Sequence, residues 1–176
     1  VSGLYFNDSG VNNIGLFGTL GTNGKISNVG VVDSLFFGGA RVGGICGAKY
    51  GTVENCYNTS NINGTDFVGG ICGNNYGGDI RNCYNTGVVS ATGNYIGGIC
   101  GILNKGTIEK CYNIGLLSGS ETTYIGNICG FVGSNGTISE CYFDTDKCDI
   151  NAVGLSSGKV SNTESKTAEE FASGEI

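Results

Sequence analysis

Val42-Gly43-Gly44-Ile45-Cys46-Gly47 recurs as Val68-Gly69-Gly70-Ile71-Cys72-Gly73, as Ile96-Gly97-Gly98-Ile99-Cys100-Gly101, and as Ile125-Gly126-Asn127-Ile128-Cys129-Gly130. A degenerate first copy reads Asn13-Ile14-Gly15-Leu16-Phe17-Gly18. The closing glycines fall at intervals of 29, 26, 28 and 29 residues. A period of this length means that each unit is one supersecondary element, able to bury its apolar face only against its neighbours.

Each unit holds three apolar clusters separated by turn residues. Beginning at Val42 they are residues 42–47, then Thr52-Val53-Glu54-Asn55-Cys56-Tyr57-Asn58, then a short run centred on Ile62. Gly64-Thr65-Asp66 leads through Phe67 into the next copy. Aligned units place Ile26, Val53, Ile80, Ile108 and Ile138 in one column and Leu35, Ile62, Val89 and Leu117 in another. Three strands per unit with apolar columns predict an all-β fold, a right-handed parallel β-helix (β-solenoid) of about five coils of three short strands. Adjacent Ile45 and Cys46 both fall in apolar columns, as do Val53 and Cys56, three apart. A straight strand cannot bury both members of such pairs. Bends are therefore expected near Gly44 and Asn55.

The flanks divide the chain. Residues 1–13 read as an N-terminal strand, either a cap or the remnant of a preceding coil, and residues 14–145 carry the repeats. Residues 146–176 read as a C-terminal cap and lead-out. There Ser165 or Thr167 opens a short capping helix, Thr167-Ala168-Glu169-Glu170 matches a capping box, Phe171 supplies an apolar contact and Gly174 the stop. Asp144, Asp146 and Asp149 read as a solvated acidic turn, because the full calcium loop with its distal Glu is missing.

Composition narrows the function. The 176 residues include 34 Gly and no Pro, Met, Trp or His, which favours turns and short strands over helices. A net charge of −6 argues against nucleic acid. No apolar run approaches the ~20 residues of a membrane span, so no membrane insertion is expected. Lacking an initiator Met and a signal peptide, the chain reads as a piece of a longer protein. The absence of His removes the commonest general base and the His-Glu-x-x-His zinc motif. With scattered carboxylates and only Arg41 and Arg81 as arginines, no enzyme activity, cofactor or metal is expected.

Eight of nine cysteines form two repeat-locked columns, Cys46, Cys72, Cys100 and Cys129, then Cys56, Cys83, Cys111 and Cys141. Phe17 and Val29 hold these places in the first unit, so the columns read as small buried thiols filling a narrow core. Disulfides within coils are the competing arrangement, and Cys148, off both columns, is the candidate reactive or paired thiol. Asn58, Asn85 and Asn113 form a column suited to axial hydrogen bonds. Beside it run Tyr57, Tyr84, Tyr112 and Tyr142; Phe67, Tyr95 and Tyr124 make a second aromatic strip. The tyrosines are the candidate binding residues, for a host glycan or surface protein, against the simpler reading that aromatic columns stabilise the stack itself.

Gly-Gly-Ile-Cys-Gly followed by Gly-Thr-Ile-x-x-Cys-Tyr-Asn, as at Gly106-Thr107-Ile108-Glu109-Lys110-Cys111-Tyr112-Asn113, resembles the GLUG motif over about residues 14–145. This sequence departs from that motif in Ile for Leu, in the following Cys, and in Asn127 replacing a Gly. The resemblance implies a repeat region of a large bacterial cell-surface, adhesin-like protein, as also found in IgA1-specific metallopeptidases. It thus implies an extracellular, non-catalytic spacer or adhesion module. Alternatives are a glycan-binding face on the tyrosine column and a β-helix polysaccharide-active enzyme.

Overall fold

The computed structural model describes residues 1–120, 124–147 and 149–173. Each unit lies on its predecessor through parallel pairing, and the coil sides form three sheets. One contains Tyr5–Asn7, Leu35–Phe37, Asn61–Gly64, Val89–Ala91 and Leu117–Ser118. A second contains Val42–Gly43, Val68–Gly69, Ile96–Gly97 and Ile125–Gly126. The third runs through Phe17–Leu20, Cys46–Lys49, Cys72–Asn75, Cys100–Glu109 and Cys129–Asp144, with the shorter strands beside them. The fold is an all-β parallel β-solenoid of about five turns, with one short helix among the described residues, Ala168–Ser173, near its C-terminus. At about 4.8 Å per coil, five rises span roughly 24 Å.

The corners explain how neighbouring residues are both buried. Asn28, Asn55, Asn82, Lys110, Glu140 and Asn162 all have positive φ, between 47° and 58°. A left-handed residue at this corner of each coil breaks the strand's alternation, so Val53 and Cys56 both face inward. Asn13, Arg41, Phe67 and Tyr95 form a second left-handed column, at φ 56° to 62°. The chain also bends at Gly44 and Ile45, between Val42–Gly43 and Cys46–Lys49. Between the sheets lies one continuous core of Ile, Val, Leu and Cys.

The register corrects one expected column. Ile62 pairs with Phe36, not Leu35, which lies opposite Asn61. Phe36 is buried and Leu35 only partly so, because the inward face here falls one residue later. At the N-terminus, Tyr5–Asn7 pairs in parallel with Leu35–Phe37, as the last side of a coil would. At the other end the glycine motif stops but the pairing continues. Val153–Ser156 lies on the strand Cys129–Asp144 with Val153 opposite Cys129, and Lys159–Lys166 follows with Val160 opposite Ile138.

The capping box forms as the sequence prescribes. The Thr167 amide donates to Glu170 Oε2 at 2.7 Å, and the Glu170 amide to Thr167 Oγ1 at 3.3 Å. Asp146 Oδ2 accepts the Ala168 amide at 3.0 Å, so the acidic turn also feeds the helix start. Asp144 departs from the solvated turn expected of it: it is buried and accepts the Asp146 amide at 2.8 Å. Cys148 and Gly174 lie outside the described residues.

Candidate functional site on the asparagine and tyrosine columns

Asn58, Asn85 and Asn113 are fully buried and stand in register. Each amide turns back on its own chain: Asn58 donates to Ser60 O, Asn85 to Gly87 O and Asn113 to Gly115 O. The same Nδ2 groups also donate upward, Asn58 to Asn85 Oδ1 at 2.8 Å and Asn85 to Asn113 Oδ1 at 2.9 Å. Their room comes from a glycine column, since a Cβ on Gly44 would lie 2.7 Å from Asn58 Cγ, and one on Gly70 or Gly98 would meet Asn85 or Asn113.

In the next coil the amide moves to the glycine position. Phe143 takes the asparagine place, opposite Asn113, and Asn127 takes the glycine place. Asn127 is buried, donates to Ile150 O at 2.5 Å and accepts from Asn113 Nδ2 at 3.5 Å. The one departure from glycine in the fourth motif therefore continues the amide line from the opposite side.

Next to the asparagines, the rings of Tyr57, Tyr84 and Tyr112 stack nearly parallel, with centroids 5.0 and 4.9 Å apart. All three are half-buried. Burial, then the neighbouring tyrosine, pushes the Tyr84 and Tyr112 hydroxyls above their ordinary range. Backbone pairing brings Tyr142 opposite Tyr112. The Tyr112 ring also meets Phe171 of the terminal helix, 5.8 Å away and tilted by 44°. Phe67, Tyr95 and Tyr124 stack on another edge, and Tyr50 on Tyr76 makes a pair that the sequence reading overlooked. Their spacing of 26 residues, one repeat, was the available signal.

Cys46, Cys72, Cys100 and Cys129 pair in register, and with Cys56, Cys83, Cys111 and Cys141 they are buried free thiols. Burial pushes the Cys100 and Cys111 thiols up, keeping them protonated and weakly nucleophilic. Missed in the sequence was Lys49, which is fully buried where the neighbouring coil holds Asn75. Its ammonium donates to Gly51 O, Asn75 Oδ1 and Gly77 O at 2.9 to 3.0 Å. Desolvation lowers its pKa. On the outer face Arg81 lies 3.5 to 3.7 Å from Glu54, Asp79 and Glu109, and Lys25 pairs with Glu54 at 2.6 Å.

Fold and columns together define the class: a parallel β-solenoid whose coils are tied by repeated side-chain columns. Residues 68–90 match the family model described as the GLUG motif, so the chain carries the motif its repeats resemble. Over 73 residues, 42% of the chain, it is 38% identical to halomucin of Haloquadratum walsbyi. Its fold matches a crystal structure from Bacteroides ovatus, provisionally named an immunoglobulin A1 protease, with a TM-score of 0.63 at 24% identity. That match covers 96% of this chain and 55% of the other, and the halomucin match covers 1% of halomucin.

Proposed function

We propose that this chain is a non-catalytic structural module of a larger extracellular protein displayed at a cell surface, acting as a rigid spacer or scaffold for adhesion. The carrying observation is the buried amide line from Asn58 to Asn127, which links successive coils along the axis. A line of this kind resists shear between coils because every slip strands buried donors and acceptors. Arg81 and Lys25 occupy the carboxylates of Glu54, Asp79 and Glu109, an arrangement that suits a fixed surface better than acid–base catalysis. The likeness to halomucin, and to a chain named for immunoglobulin A1 cleavage, supports an extracellular setting.

Antibodies raised against the chain test the reading on the organism that makes it. Labelling of intact cells is the expected result. Labelling only after lysis would overturn the surface location, and hydrolysis of a polysaccharide or peptide by the purified chain would overturn the non-catalytic role.

A further inference from the structure

The tyrosine stack changes character at its C-terminal end. From Tyr57 to Tyr112 the rings lie 4.9 to 5.0 Å apart and within 4° of parallel. Beyond Tyr112 a groove of about 320 Å³ opens, lined by Lys110, Cys111, Tyr112, Glu140 and Tyr142. Lys110 and Glu140 occupy consecutive corner positions, with Nζ and Oε2 3.8 Å apart, and their side chains are 59% and 53% exposed. Both corners are left-handed, which turns these side chains outward beside the tyrosines two residues on.

We propose that this groove is a binding subsite for one ring of a neutral carbohydrate. A pyranose offers an apolar C–H face for Tyr142, beside Tyr112 whose ring already meets Tyr84 and Phe171, and a rim of hydroxyls that both donate and accept. Lys110 supplies donors to that rim and Glu140 acceptors. An aromatic side chain of a protein partner would fill the space but leave both charges without new partners. A net charge of −6 disfavours acidic sugars. The inference goes beyond the spacer reading and is independent of it, because a rod needs no ligand to hold domains apart.

The chain has no Trp, so its intrinsic fluorescence reports tyrosine directly. Titration with hexamers of glucose and of N-acetylglucosamine is expected to give a saturable change with at least one of them. NMR shifts should centre on Tyr112 and Tyr142. Tyr142→Ala is expected to weaken binding at least about tenfold, while Tyr142→Phe, which keeps the stacking face, stays within about threefold. Tyr76→Ala, on a different stack, should leave binding unchanged. Should Tyr142→Ala fail to fold, the double variant Lys110→Met with Glu140→Gln decides, because both side chains are exposed; it is expected to lose about fivefold or more. No saturable response to either hexamer up to about 10 mM would overturn the proposal. So would unchanged affinity in a folded Tyr142→Ala, or tighter binding of a phenylalanine peptide or an acidic sugar. In each of these cases surface labelling of intact cells would be unaffected, so the two readings fail separately.

Discussion

Lys49 shows how far a single side chain depends on its neighbours. Its ammonium is buried yet satisfied by three acceptors drawn from two coils. Lys49→Met strands those acceptors and is expected to cost about 2 kcal/mol in urea unfolding at neutral pH. Because burial lowers the folded pKa, the unfolded chain binds the extra proton, and the wild-type contribution rises with pH. That rise runs from the lowered folded value to about 10.4, so the deficit of the variant should widen across this window. A deficit independent of pH would show that burial does not shift the lysine. The glycine column gives a second prediction at this scale. Gly98→Ala forces a Cβ into Asn113 and the backbone of the next coil, and should destabilise by about 3 kcal/mol. An alanine variant with an unchanged urea midpoint would mean that the amide line yields.

Among the elements, the helix Ala168–Ser173 is too short to stand alone and depends on its cap and on Phe171. Thr167→Ala removes the Oγ1 acceptor and should lose about 1 kcal/mol of local stability, read as faster amide exchange at Glu170 and Phe171. Exchange in Cys100–Glu109, within the third sheet, should stay unchanged; equal acceleration there would mean that the helix supports the whole solenoid. The corners are another element-scale device. Asn suits a left-handed corner, whereas Lys110 and Glu140 carry strain of about 1 kcal/mol each that the stacked neighbours must offset.

For the whole molecule, cohesion comes from apolar burial and axial hydrogen bonds, with the thiols serving as small apolar fillers. The eight column cysteines should therefore be inert to a thiol reagent in the native, unreduced protein and react together on unfolding. Disulfides persisting under denaturant would instead mean that covalent staples hold the coils.

Sequence alone determined the repeat, the parallel stacking and most of the columns, because a residue repeated every 26 to 29 positions must meet its own copy in the next coil. The capping box was legible for a similar reason, its partners lying three residues apart. Tertiary structure decided what depends on the neighbouring coil: Phe36 rather than Leu35 in the core, Lys49 inside it, and Asn127 carrying on the amide line from the glycine column where Phe143 fills the asparagine column. Gly154 and Gly158-x-Val160 were faint signs of the coil that follows the last motif. The tyrosine column could be read, but not the groove at its end. A groove is a failure of stacking between two coils, and only the packed rings fix where it opens.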